Sequence, residues 1–216
     1  VEVKYMTAKE EDILTSQNLI QQGTVIDVLL QSLIVDKTIN VNELLIGDKN
    51  AIMVAARILG YGKEYEFEYD GIEQSVDLTK LEPIKVDFKN LPKGTNEFSY
   101  ELPNSKRTIT FKLLNGKDEL EIEGEIKAME KISKVQSSTL TTRFKKMILS
   151  VDGNSEKSYI NNFVDNEFLS RDSLSFRQHL VKVTPDMDMK TQIIDSTGKE
   201  TEVTIPVTVR FFWPNT

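Results

Sequence analysis

The chain has 216 residues, 39% of them hydrophobic and 28% charged, with a formal net charge of −7, a single histidine and no cysteine. The missing cysteines exclude disulfides, thiolate nucleophiles and cysteine-based zinc sites, and one histidine excludes histidine-rich metal sites. The acidic balance argues against a protein that binds nucleic acid mainly by electrostatics. No stretch approaches the ~20 apolar residues of a membrane-spanning helix. We therefore expect a protein without cofactor or metal, and not an enzyme.

The first half of the chain is predicted to form a helical cluster followed by a β-hairpin. Residues 1–6 alternate apolar and charged side chains, as a half-buried strand does, and Thr7 and Glu10 have the spacing of a helix capping box. The dipeptide Asp70-Gly71 is a strong hairpin signal. The predicted helices cover residues 8–21, 25–35 and 49–59, the last capped by Asp48, and the predicted hairpin strands cover residues 63–69 and 74–78. The second of these helices has one apolar face, formed by Ile26, Leu29, Leu30, Leu33 and Ile34.

A polar stretch from Pro83 to Gly94 is interpreted as the connection to the second half. That half is predicted to begin with a hairpin, to continue with a charged amphipathic helix and three more helices, and to end with a hairpin and a strand. The predicted strands cover residues 97–102, 107–114, 189–194, 200–205 and 207–212, and the predicted helices cover residues 117–133, 139–150, 159–169 and 173–183.

The two halves follow a similar plan, and one register can be compared directly. The segment from Lys4 to Glu11 matches the segment from Lys112 to Glu119, with a lysine, a cap residue, a second lysine and an acidic pair at the same places. We interpret this match as an internal duplication.

The duplication leads to a prediction of domain organisation. We expect an α+β protein of two similar halves, residues 1–90 and residues 91–216, each a helical cluster with a small antiparallel hairpin or sheet. Because a Leu102-Pro103 hairpin precedes the second copy, an equivalent arm is expected upstream of Val1.

Several motifs occur in an order that resembles one known family. The first half carries Lys4-Tyr-Met-Thr-Ala-Lys-Glu-Glu11 and a helix from Asp48 that ends in Arg57-x-x-Gly60. The second half carries Leu102-Pro103, residues 109–114 with Lys117-Asp-Glu119, Phe176-Arg177, residues 183–188, Ile205-Pro206 and Phe211-Phe-Trp-Pro214. Over nearly the whole chain this order resembles the baseplate hub and hub-assembly proteins of T-even-like contractile-tailed bacteriophages.

The resemblance implies a structural component of a phage tail baseplate hub, acting by protein–protein contacts in tail assembly and without catalysis. It implies assembly in the host cytoplasm, a place in the virion, and several copies in a symmetric assembly. The implied partners are other hub proteins, the tail tube or the tape-measure protein, and not nucleic acid or a membrane. Two alternatives stay open: a transient tail-assembly chaperone that is not retained in the virion, and an unrelated hydrolase with two converging carboxylates.

The last hairpin departs from the family pattern. Where many members have Cys-x-x-Cys-Gly, this chain has Ile194-Asp-Ser-Thr197-Gly198, so the turn glycine remains and both thiolates are missing. We therefore expect no zinc there, and we expect the hairpin to depend on the packing of Ile193, Val203 and Ile205.

Other candidate groups have ordinary structural interpretations. The carboxylates of Glu10, Glu11 and Asp12 suit the start of a helix. His179 has no accompanying nucleophile motif, and the basic run at residues 143–146 is typical of a solvated helix face.

The aromatic C-terminal segment is the main candidate for a partner interface. Phe211, Phe212 and Trp213 are consecutive, and the alternation of a strand cannot bury all three rings on one face. At least one ring is therefore expected to pack on a neighbouring element or on another subunit, as interface anchors do. Arg57 and Arg177 are further candidates, which would fix helix ends to neighbours.

Overall fold

The computed structural model describes residues 1–86, 94–132, 139–207 and 209–212. In this part of the chain, helices are combined with small antiparallel sheets of two or three strands. The predicted α+β class is confirmed.

The first four regular elements are helices, and helices and strands are mixed along the rest of the described chain. In chain order they are α1 (Ala8–Leu14), α2 (Gln17–Gln22), α3 (Val25–Leu33), α4 (Ile46–Tyr61), β1 (Glu64–Tyr69), β2 (Ile72–Asp77), β3 (Phe98–Glu101), β4 (Thr108–Phe111), α5 (Gly116–Ile132), α6 (Thr139–Met147), β5 (Ile148–Val151), α7 (Lys157–Asn162), α8 (Ser170–Val183), β6 (Lys190–Ile194) and β7 (Glu200–Thr204). Short 3₁₀ turns occur at Val41–Glu43, Leu78–Lys80 and Val209–Phe212, and a π-helical turn at Phe163–Glu167 follows α7.

The chain forms two compact units. The first comprises residues 1–84 together with residues 185–216, and the second comprises residues 85–184. The predicted boundary near residue 90 lies close to the observed one, but the predicted assignment of the last 32 residues to the second half is wrong. The physical reason is that Ile193, Val203 and Ile205 of the closing hairpin are buried in the same apolar core as α3 and α4.

The core of the first unit is centred on α3. Its predicted apolar face is confirmed, since Leu29, Leu30, Leu33 and the following Ile34 have no exposed surface. Helix α4 begins against the chain after α8, because a Cβ atom on Gly47 would lie 2.0 Å from the carbonyl oxygen of Pro185. Only glycine allows that approach.

Several predicted elements differ from the observed ones near their ends. The predicted helix over residues 8–21 is interrupted at Thr15 and Ser16, and α4 begins at Ile46, so that Asp48 lies in its first turn and is not its cap. Residues 1–6 form only one isolated bridge, from Val3 to Ile34.

Two further differences concern strands. The predicted helix over residues 139–150 ends at Met147, and residues 148–151 continue as β5, which pairs with β4. The predicted final strand over residues 207–212 is not formed by its described residues, of which Val209–Phe212 form a 3₁₀ turn.

The register predicted from the sequence recurs in the hydrogen bonds of two short modules, residues 1–36 and residues 109–150. In the first module Lys4 Nζ lies 2.8 Å from Oε1 of Glu10, and Oε2 of the same carboxylate accepts the Thr7 amide at 3.0 Å. In the second module Lys112 Nζ lies 2.7 Å from a carboxylate oxygen of Asp118. The Asp118 carboxylate likewise accepts the amide of Asn115, the residue that corresponds to Thr7.

The backbone around these ion pairs is also alike. The Lys4 amide donates to Leu33 O at the end of α3, and the Lys112 amide donates to Met147 O at the end of α6, each at 2.9 Å. The predicted similarity of the halves therefore extends to the local structure of these modules. It does not extend to the closing hairpin, which belongs to the first unit.

Candidate interaction surface

Helix α8 is anchored in the second unit by its inner face. Phe176 has no exposed surface and lies 5.0 Å from Phe111 and 5.7 Å from Phe144, measured between ring centroids. Asp172, in the first turn of α8, is buried and accepts the backbone amides of Asn104 and Ser105. Burial acts to raise the pKa of Asp172, but the hydrogen bonds from Asn104 and Ser105 outweigh it and hold the pKa below its ordinary value.

The outer face of α8 combines apolar and basic side chains. Leu174 and Val181 lie one heptad apart and are 48% and 70% exposed, so they occupy the same side of the helix. Arg171, Arg177 and Lys182 are exposed around them. The only acidic residue of α8 is the buried Asp172, so this face has no negative charge of its own. We call these five exposed residues the α8 face.

The cations of α6 are used differently from those of the α8 face. Arg143 forms an ion pair with Glu119, Lys146 with Glu121, and Lys145 with Asp165 at 2.7 Å. The predicted solvated face at residues 143–146 is thus a set of links from α6 to α5 and to the π-helical turn. In the part of the chain that the structure describes, none of the three α8 cations has such a carboxylate partner.

Sequence reasoning missed a polar cluster around Arg107. Its guanidinium donates to Asp152 at 2.7 Å, to Glu167 at 2.6 Å and to the hydroxyl of Tyr159, and its Cζ atom lies 4.9 Å from the centroid of the Phe163 ring. The hydrogen bond to Asp152 raises the pKa of Arg107, and the same bond lowers the pKa of Asp152. Because one guanidinium donates to both carboxylates and to Tyr159, we interpret the cluster as a structural link that joins the residue before β4 to α7 and the π-helical turn.

The aromatic C-terminal rings lie elsewhere than predicted. Phe211 and Phe212 have no exposed surface, contact each other at 5.3 Å, and belong to the core of the first unit, where Phe211 meets Tyr65 at 4.9 Å. They are core residues and not interface anchors, because the 3₁₀ turn removes the alternation of a strand and lets consecutive rings face inward. Trp213 lies outside the described residues.

Arg57 is also an internal residue. It is 4% exposed, and its guanidinium donates to the carbonyl oxygens of Gly62 and Glu64, each at 3.1 Å, while it lies over the rings of Tyr61 and Tyr65. It therefore fixes the end of α4 to the start of β1, within one unit. Of the four interface candidates that lie within the described residues, Arg177 alone is on an exposed face.

Glu10 and His179, which the sequence also offered as candidate groups, contact other residues of the same chain. Burial acts to raise the pKa of Glu10, but hydrogen bonds from Lys4 and Thr7 lower it to about 2, as the predicted capping arrangement requires. His179 stacks on Tyr100 at 4.3 Å, and burial followed by the charge of Lys182 lowers its pKa. No group of three or more metal-ligating side chains occurs among the described residues.

The closing hairpin combines buried apolar side chains with a hydrogen-bonded tip. Ile193, Val203 and Ile205 are buried, as expected from the sequence. At the tip, Asp195 accepts hydrogen bonds from the Thr197 hydroxyl and from the backbone amides of Lys199 and Thr197, which lowers its pKa to about 2.

Across the described ranges, no helix combines the length and the apolar character needed to cross a membrane. Comparisons with protein-family models, with curated proteins and with solved structures found no match for this chain.

Proposed function

We propose that this protein is a structural component of a phage tail baseplate hub that acts through protein–protein contacts. The family resemblance of its motifs supplies the biological setting. The observation that supports a role in contacts is the α8 face, where two exposed apolar side chains lie among three cations that lack carboxylate partners in the described chain. A buried inner face and an unpaired outer face suit a helix that is held rigidly and presented to another protein.

A density map of intact tails, with mass spectrometry of the same particles, tests this proposal. The chain is expected at a fixed position in the baseplate, in several copies, with the α8 face in contact with protein. A chain that is needed for tail assembly but missing from finished particles would support the transient chaperone instead. Particles that form normally without the gene would contradict both roles.

One variant tests whether the α8 face is needed for contact with other tail proteins and not for folding. Leu174→Glu places a charge on the α8 face, and we expect a normal melting temperature but poor incorporation into tails. The matched control is Leu140→Glu, since Leu140 is a leucine of similar exposure, 44%, on a different helix, α6. Equal incorporation of both variants would show that the α8 face is not the contact.

A further inference from the structure

The β1–β2 hairpin presents a strongly acidic face. Strand alternation places Glu64, Glu66 and Glu68 of β1 on one side, where they are all exposed, while Tyr65 and Phe67 between them are buried. On the paired strand, Glu73 lies directly opposite Glu68. We call these four glutamates the hairpin face.

The like charges of the hairpin face carry an electrostatic cost. The hairpin has one ion pair of its own, in which Lys63 Nζ lies 3.3 Å from a carboxylate oxygen of Asp77, the residue opposite Glu64. Like charges directly opposite each other destabilise a strand pair, and none of the four glutamates has an ion pair among the described residues. The closing hairpin differs, because Lys190 of β6 pairs with Glu202 of β7 at 2.8 Å.

The α8 face is the electrostatic complement of the hairpin face. It carries three cations and no exposed carboxylate, whereas the hairpin face carries four carboxylates and no cation. Their lengths also agree, since Arg171 to Lys182 spans roughly 16 Å along a helix and Glu64 to Glu68 spans roughly 13 Å along a strand.

We infer that the α8 face of one copy of this chain docks on the hairpin face of a second copy. The contact is head-to-tail, because each copy offers one surface of each kind and an α8 face cannot dock on another α8 face without bringing cations together. Heterologous contacts of this type close into rings or continue as filaments. The inference deepens the proposed function, since multi-copy assemblies need such contacts, but it concerns the purified chain alone.

Two charge-reversed variants test the contact by sedimentation velocity. Arg171→Glu with Arg177→Glu removes one surface, and Glu66→Lys with Glu68→Lys removes the other. Each variant alone is expected to associate at least about tenfold more weakly than the unaltered chain. An equimolar mixture retains one native pair of surfaces and is expected to form a dimer that grows no further.

Two controls keep the result specific. Lys9→Glu with Lys157→Glu changes the net charge as much as the α8 variant does, at two exposed positions on other elements, α1 and α7, and should associate normally. A chain that carries all four substitutions retains no native pair of surfaces, since its hairpin face has no net charge, and it should associate as weakly as either variant alone.

The inference would be overturned by a monomeric unaltered chain at low ionic strength, by variants that associate normally, or by a mixture that shows no dimer. Incorporation into tails is a separate readout, so a chain that is monomeric alone but present in tails would leave the proposed function standing while removing this contact.

Discussion

Helices α6 and α8 of the second unit have similar interiors and different exteriors. Phe144 of α6 and Phe176 of α8 are both buried and touch each other. Each helix carries three cations, but those of α6 pair with carboxylates of the same chain, and those of α8 have no such partner among the described residues. Basic residues on a helix can therefore have two roles. Those that pair with carboxylates of the same chain stabilise the fold, and those without such a partner remain available to another protein.

The interiors of the two helices should be equally sensitive to truncation. Phe144→Ala and Phe176→Ala are each expected to lower the free energy of unfolding by about 3–5 kcal/mol, because each leaves a cavity among buried rings. Urea denaturation measures both. If either variant lost less than about 1 kcal/mol of the free energy of unfolding, the two helices would differ in their interiors, because the phenylalanine of that helix would not hold it to the core.

The anchor of α8 should depend on pH through the buried carboxylate of Asp172. The folded-state pKa of Asp172 is lowered, so its contribution is complete above the ordinary aspartate pKa of 3.8 and is lost as pH falls through the lower folded value. Asp172→Asn should therefore cost about 2 kcal/mol at pH 7, and less as the pH is lowered below 3.8. Denaturant unfolding from neutral pH down into the acid range tests this, and a cost that is independent of pH would contradict it.

Neutralising the cations of α6 should have a moderate effect. Arg143→Gln, Lys145→Gln and Lys146→Gln together are expected to lower the free energy of unfolding by about 1–2 kcal/mol, since partly exposed pairs contribute ~0.2–1 kcal/mol each. The loss should shrink in high salt, which screens such pairs. Unfolding at low and high sodium chloride concentrations measures the difference.

Neutralising the cations of α8 should have the smallest effect on folding. Arg171→Gln, Arg177→Gln and Lys182→Gln together should change the free energy of unfolding of the monomer by no more than about 0.5 kcal/mol. Unfolding at a protein concentration low enough to keep the chain monomeric measures it. A loss as large as that of the α6 variant would show that the α8 cations also serve the fold.

The features that local patterns control could be predicted from the sequence. The capping box at Thr7, the hairpin at Asp70-Gly71 and the apolar face of α3 were all found, because each depends on residues close together in the chain. The lysine and carboxylate of each module also followed from a register visible in the sequence.

Other features depend on contacts between distant segments. The break between α1 and α2 has no glycine or proline to announce it, and β5 forms where β4 offers a pairing edge after Met147. The burial of Phe211 and Phe212 follows from the return of the last segment to the first unit. Likewise, Arg107 finds its partners 45 and 60 residues away.

The interface candidates could not be told from core residues for the same reason, because their burial depends on contacts between distant segments. Large aromatic side chains suit a core and an interface equally well, and only their placement separates the two. Arg177 was identified as a candidate from the sequence, but its neighbours on the α8 face were not, because their exposure depends on which side of the helix meets the core.

The absence of cysteine from the chain permits a direct test of the central claim, that the α8 face is a contact surface for the hairpin face of another copy. Leu174→Cys is placed on the α8 face of one variant, and Ser75→Cys, an exposed position between the glutamates, on the hairpin of another. A short bis-maleimide added to the mixture at low salt should give a covalent dimer joining the two variants. A mixture of Ser75→Cys with Leu140→Cys should give far less, and equal yields in the two mixtures would contradict the account.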